Sequence, residues 1–462
     1  MLAPQITTQC SRTALRSASR CAPKLAWGQS SLRYQSSTSS PAPPSVSSAT
    51  PKPSDAKAEF RHNELAKIIR DTVKSTGPIP ISQYMQFCLS HPTQGYYSKG
   101  DVFGQKGDFI TSPEISQIFG ELVAIWFLTR WMEKGSPSRV RIVELGPGRG
   151  TLMDDIVRTL SNFPGVASSL KSIHLVENSL AMREVQRKKL ESRIEGKDIA
   201  LNWYTGINEI PETEDEYTFF VAHEFFDAMP INTFEKTDMG WREVQVTHDP
   251  SFDPEISTPS APSGLRFALS SSPTPLSTIL PETSPRFSKL LSGSRVEVSQ
   301  DSYKIMRQLG EIVNQGKGGC GLVIDYGAHK AFYNSFRAFR KHEIVDVFQD
   351  PGNCDLTANV DFAYLGESLS NLSTPLGPMS QASFLQALGF HPRLAKLVEA
   401  APEERREEIE KGAKRLVDLL GMGTQYQVMG VVSGVEELKE GIYPFSLKKE
   451  EEKQVASRVL RP

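Results

Sequence analysis

Ten residues, "VELGPGRGTL" (143–152), constrain this chain more than any other stretch. Gly146, Gly148 and Gly150 alternate with Pro147 and Arg149. Glycine at every second position is costly in chain entropy, so something must need the backbone bare there. The β-branched run "RVRIVEL" leads in and the helical pattern "MDDIVRTL" leads out, so the stretch reads as strand, glycine turn, helix. The rhythm repeats. "SIHLVE" is followed by "MREVQRKKLESRI", "IALNWY" by a turn, "YTFFVA" by "EFFDAMP", and "GCGLVIDYG" comes much later. Strands alternating with helices in this way predict an α/β fold, a Rossmann-like sheet with parallel strands.

A strand that turns through glycines into a helix presents backbone N–H groups and the positive helix end to a ligand. Dinucleotides and S-adenosyl-L-methionine both use such a turn. The dinucleotide fingerprint is G-x-G-x-x-G, opening directly onto the pyrophosphate-binding helix. Here the spacing is G-x-G-x-G, and Glu144 precedes the first glycine by two residues. An acid there suits a ligand with an ammonium and a sulfonium better than a pyrophosphate. Glu177, ending the second strand, is placed to accept both ribose hydroxyls of an adenosine, and it would repel a 2′-phosphate. A tight strand–helix turn without a ligand is the alternative for the glycines, and a solvated strand end the alternative for Glu177.

In a parallel α/β sheet, ligands bind over the carboxyl ends of the strands. The fourth strand ends at "VAHEFFDAMPI" (221–231), which puts His223, Glu224 and Asp227 where a transferable methyl would be presented. Capping of a helix near Ala228 is the competing role for Asp227. Asp325 and Tyr326, at the fifth strand's end, are lesser candidates, either lining an acceptor site or capping and packing. The histidines are scattered, with no metal-ligand spacing.

Around this domain (136–239 and 299–436) the chain divides as follows. Residues 1–34 hold Arg12, Arg16, Arg20, Lys24 and Arg33, and with Lys52 these are all the charges before Asp55. Removing those six from 52 basic residues leaves 46 against 54 acidic ones, so a near-neutral total of −2 hides a net of −8 behind the leader. Such an Arg- and Ser-rich, acid-free start predicts a mitochondrial transit peptide. A Ser/Pro-rich linker follows at 35–58. Residues 59–135 read as an N-terminal helical lid, in which Ser112 caps a long apolar helix running from Pro113 toward Met132. Residues 240–298 alternate like antiparallel strands and read as a small insertion, and 437–462 as a charged tail. The balance of charge excludes a strong basic field for nucleic acid. The apolar run "LVAIWFL" is far short of the ~20 residues that span a bilayer. Cys88, Cys320 and Cys354 fit neither a disulfide framework nor a zinc site, which is compatible with a reducing compartment such as the mitochondrial matrix.

Six stretches together carry a family resemblance: "GPIPISQYMQFCLSHPTQGYYS", "GDFITSPEISQIFGE", "ELGPGRGTLMDDI", "HEFFDAMP", "VIDYG" and "DPGNCDLTANVDF". They span nearly all of residues 60–430 and resemble the mitochondrial protein-arginine methyltransferases that assist assembly of respiratory complex I, with their bacterial relatives. The resemblance implies a class I methyltransferase fold and S-adenosyl-L-methionine as cofactor. It also implies symmetric dimethylation of an arginine in a complex I core subunit, at an early assembly step. Glu224, helped by Asp227, would then grip the guanidinium. The "GDFITSPEIS" segment would fold over the cofactor, with Thr111 and Ser112 near its methionine carboxylate. His223 stands where relatives usually carry asparagine. The paired-glutamate loop and Thr-His-Trp motif of better known protein-arginine methyltransferases are lacking, so their clamp cannot be copied. A nucleotide-dependent oxidoreductase, a non-catalytic assembly chaperone docking through 240–298, and a small-molecule methyltransferase are the rival classes.

Overall fold

The computed structural model describes residues 63–99, 110–252, 263–435 and 441–446. The expected leader and linker, and the start of "GDFITSPEIS", lie outside the described residues. At the centre is a sheet whose main strands, in chain order, are β1 (Val140–Leu145), β2 (Leu170–Val176), β3 (Ala200–Tyr204), β4 (Tyr217–His223), β5 (Gly319–Ala328), β6 (Ser373–Ser380) and β7 (Tyr426–Ser433). Their spatial order is β6-β7-β5-β4-β1-β2-β3. The pairs from β3 through β5 are parallel, and β7 runs antiparallel to both β5 and β6. The chain leaves β1 toward β2 on one side and returns through β4 on the other, so a crevice opens between them at the carboxyl ends of the strands.

Both sheet faces are covered, which is why every residue of β1 and β4 is buried. Val140 and Ile142 of β1, Phe219 and Val221 of β4 and Leu322 and Ile324 of β5 pack on one side with the helix Ile118–Glu133. Val143 and Leu145, Phe220 and Ala222 and Val323 pack on the other with the helix Gln300–Ile312. By the same alternation Glu144 and His223 fall on the Ile118–Glu133 side.

The expected lid therefore divides. The helix Ile118–Glu133 belongs to the central core, with Trp126 and Phe127 fully buried. The helices Glu64–Thr76 and Ile81–Ser90 instead join a second core with Val244, Val246, Phe348 and Leu356. The long helix expected from Pro113 is also interrupted. A four-residue turn of helix, Ser112–Ile115, is capped at Thr111 rather than Ser112, and Ser116 is extended before Ile118 begins the next helix. Ser116 Oγ accepts the Ile118 N–H at 3.4 Å, which satisfies the first N–H of the next helix across the break.

The antiparallel part is larger than the expected 240–298. Strand Gly240–His248 pairs with Asn232–Thr237, Leu265–Leu269 and also Ile79–Pro80, and Asn232–Thr237 pairs with Arg295–Val298. A third sheet, formed by Arg337–Arg340, Glu343–Val345 and Asp355–Thr357, was not expected. The "DPGNC" turn ties it back to the N-terminal helices, since Asp350 accepts from Asn63 and pairs with Arg340 at 3.0 Å. Part of the expected charged tail is also folded: Trp126 donates to the Tyr443 carbonyl at 3.3 Å, and the Phe445 ring lies 6.1 Å from that of Trp126.

Because Ile118–Glu133 is core, Trp126→Ala should lower the stability of the whole domain. The expected cost is about 3–5 kcal/mol, read as a lower urea midpoint at an unchanged slope. Loss confined to ligand affinity would return the helix to the lid.

Candidate active site

Gly146, Gly148 and Gly150 all have positive φ, of 60°, 52° and 75°. A Cβ on Gly146 would meet the Phe225 ring at 3.0 Å, and one on Gly148 would meet nothing within 4 Å. Gly148 thus presents bare backbone to open space. That space is a cavity of about 990 Å³ whose lining includes Glu144, Gly146, Gly148, Glu177, His223 and Glu224. A volume of this order accommodates a cofactor together with part of a substrate. Gly150 is not part of the lining; it caps the helix Thr151–Leu160 and packs against Gln186.

The end of the cavity beside β2 is organised by Glu177 and by Gln186, which sequence reasoning missed. The Gln186 amide donates to the Gly148 carbonyl at 2.7 Å and to Glu177 Oε2 at 3.1 Å, and its oxygen accepts from Trp203 at 2.8 Å. One fully buried amide therefore ties the glycine turn, the second strand's acid and β3 together. Its signal was available: Met182, Gln186 and Leu190 form the buried stripe of the helix Leu180–Ile194, and a glutamine there breaks the apolar spacing. Glu177 also accepts the Ser179 N–H at 2.8 Å, while burial raises its pKa.

The loop after β4 is shaped from a neighbouring strand. Asp325, fully buried on β5, accepts with one oxygen the N–H groups of Phe225, Phe226 and Asp227 at 3.0–3.2 Å, and with the other the Tyr326 N–H at 2.9 Å. Burial and the carboxyls of Asp227 and Glu224 raise its pKa, and the backbone donors pull the other way. "EFFDAMP" consequently forms a held turn instead of a helix, and Asp227 caps nothing helical. Tyr326 donates to Asp227 Oδ2, and Asp227 Oδ1 is buried without a hydrogen-bonding partner. Asp227 does not line the cavity. It stands behind Glu224, and burial raises its pKa.

Glu224 has φ 48°, a left-handed backbone that a glutamate adopts only where its surroundings hold it. Its N–H donates to the Ile324 carbonyl at 3.0 Å, and Tyr426 donates to its Oε1 at 2.9 Å. Burial, then the nearby Asp227, push its pKa up to about 8. His223 points to the same side, with Nε2 3.6 Å from Glu224 Oε1 and its ring 4.9 Å from Phe119; burial lowers its pKa to about 3, so it is neutral at physiological pH. Glu144 is likewise buried, is pushed by that burial to about 8, and leaves Oε2 unpartnered. Thr111 lines the cavity, but Ser112 does not; it is fully buried, bonds Gln381 through its hydroxyl at 3.4 Å, and its backbone N–H favours the ionised form of Glu224. Among the described residues no cluster of His, Cys, Asp and Glu could hold a metal ion, and no helix is long and apolar enough to cross a membrane.

These features fit a cationic adenosyl ligand. The Gly148 cradle is one a Cβ would fill, and the orphaned Glu144 oxygen is one a positive charge would satisfy. The raised carboxyls also set a pH dependence. Between the usual 4.5 and about 8 the folded state holds protons on Glu144 and Glu224 that the unfolded chain has released, so stability falls as pH rises through that window. Glu144→Gln should therefore raise the melting temperature of the ligand-free protein by about 2 °C or more at pH 8.5 and change it little at pH 5. Equal shifts at both pH values, seen by calorimetry, would sink the assignment.

Comparison with known proteins agrees with the geometry. A sequence family described as "Putative S-adenosyl-L-methionine-dependent methyltransferase" matches residues 122–379. The human protein named "Protein arginine methyltransferase NDUFAF7, mitochondrial" is 37% identical over 378 residues, covering 78% of this chain and 81% of its own. Its Drosophila melanogaster homolog is 36% identical over 410 residues, covering 84% and 89%. A Burkholderia thailandensis protein crystallised with S-adenosyl-homocysteine superposes with a TM-score of 0.68 at 26% identity, covering 86% of this chain and 99% of that one. The chain therefore belongs to this family of S-adenosyl-L-methionine-dependent methyltransferases.

Proposed function

We propose that this methyltransferase acts on arginine in a protein substrate, forming symmetric dimethylarginine on a core subunit of mitochondrial complex I during its assembly in the matrix. The observation that carries the arginine reading is Glu224: a carboxyl on the cavity wall, its left-handed backbone bonded to Ile324 and its side chain to Tyr426. The names of the human and Drosophila relatives support protein arginine as the acceptor and the mitochondrion as the place. The acid-free leader composition supports the same compartment. The complex I target rests on the resemblance of the six sequence stretches.

S-adenosyl-L-methionine supplies an electrophilic methyl group on a sulfonium. Gly146 and Gly148 would admit it against bare backbone, Glu177 would take its ribose hydroxyls, and Glu144 would face its positive charge. A guanidinium is a poor nucleophile while its charge is spread over three nitrogens. Glu224 grips the nitrogens that do not react, orients the group, and draws positive charge away from the attacking one. Asp227, Tyr326 and Asp325 keep the turn rigid behind it. His223, neutral beside Glu224, adds no competing charge.

Two substitutions separate donor binding from acceptor handling. Gly148→Val puts a branched side chain at positive φ into the cavity, and should weaken S-adenosyl-L-methionine binding at least about 100-fold with the circular dichroism spectrum unchanged. Normal affinity by titration calorimetry would remove the glycine argument. Glu224→Gln should retain donor affinity while losing about 100-fold or more in transfer of labelled methyl to an arginine peptide. Undiminished transfer would discard the proposed grip.

A further inference from the structure

Glu224 is aimed by a residue far away in sequence. Tyr426 opens β7 and lies directly opposite Tyr326 in the β5–β7 register. The two rings meet edge to face, with centroids 5.4 Å apart and planes at 83°. Each hydroxyl serves a different acid of the turn after β4: Tyr326 donates to Asp227, and Tyr426 donates to Glu224 Oε1. The Tyr426 ring also lies nearly parallel to that of His223, at 6.5 Å and 18°. Behind Tyr326, the Arg337 guanidinium sits 5.0 Å from that ring's centroid. Tyr426 is therefore held by His223 and Tyr326, and its hydroxyl meets the one acid of this group that lines the cavity.

We propose that Tyr426 is a positioning residue for methyl transfer, whose hydroxyl aims the Glu224 carboxyl at the acceptor; this rests on the arginine reading above. A glutamate side chain has three rotatable bonds, and it grips a guanidinium productively only if its orientation is set before the acceptor arrives. The backbone of residue 224 is pinned by Ile324, yet that fixes only where the side chain starts. The bond from Tyr426 fixes where it ends.

The same bond favours the ionised carboxyl, which is the form that holds a cation. Every other acid nearby opposes ionisation. Asp227 stands in the same turn, Asp325 on β5, and Glu114 on the short helix Ser112–Ile115, whose Ser112 N–H helps Tyr426 oppose them. His223 on β4 is neutral. Removing the Tyr426 hydroxyl leaves a misaimed carboxyl that holds its proton to higher pH.

Tyr426→Phe in the full chain tests this, because the ring and its packing remain. Two readings are taken: the titration of Glu224 by carbon-13 NMR of glutamate-labelled protein, assigned with Glu224→Gln, and the pH profile of methyl transfer to an arginine peptide. Expected are unchanged S-adenosyl-L-methionine affinity, a Glu224 titration moved to higher pH, and a kcat about 10- to 100-fold lower. The acid limb of kcat/KM should move up in parallel with the titration. An unmoved Glu224 titration overturns the proposal. So does a lower kcat with an unmoved limb, since a merely structural tyrosine would give that. If the wild-type chain methylates no arginine peptide, the arginine reading falls, and the NMR titration alone decides whether Tyr426 governs Glu224.

Discussion

A single buried carboxyl holds the turn after β4, on the wall of the cavity, in shape. Asp325 receives three consecutive backbone N–H groups from the turn after β4, and a fourth from its own strand. Without an acceptor those amides would be buried and unpaired, each at a cost of about 1–3 kcal/mol. The turn has nowhere else to bond, because Glu224 has already left the strand in a left-handed conformation and no helix follows. The position of Glu224 on the cavity wall is thus a consequence of a residue about a hundred positions later, brought alongside by parallel pairing of β4 with β5.

The electrostatics of the crevice follow from the same burial. Glu144 and Glu224 are both reluctant to ionise, and His223 is held neutral beside them. A site built of acids that resist losing their protons stores instability which a cationic ligand relieves. Two positive charges come together in methyl transfer to arginine, the sulfonium of the donor and the guanidinium of the acceptor. One raised carboxyl lies on the glycine-turn strand and the other at the start of the β4 turn. The family match settles the choice that glycine spacing left open, in favour of S-adenosyl-L-methionine over a dinucleotide.

Much of the central architecture was legible because its signals are local. β-branched runs, glycine turns and helical stripes each act within ten to fifteen residues, and the resulting α/β sheet is the one observed. The excursions were harder to read. The strand Ile79–Pro80 joins the antiparallel sheet through pairing with Gly240–His248, and no pattern in two residues announces that. The lid reading failed for Ile118–Glu133 because an all-round apolar helix states that it is buried without stating against what. Gln186 left a trace, a polar residue on an apolar stripe, whereas Tyr426 left none.

The order of amino acids by itself determined the strand–glycine–helix unit, the bare backbone at 146 and 148, and the chemistry of the groups that follow the strands. These depend on steric limits at single residues and on spacing along one element. Only the tertiary structure decided which acids face the cavity and which stand behind it, and that an amide from one helix and a tyrosine from the last strand hold them there. Those choices depend on strand order and register, which are set by how both faces of the sheet are buried at once.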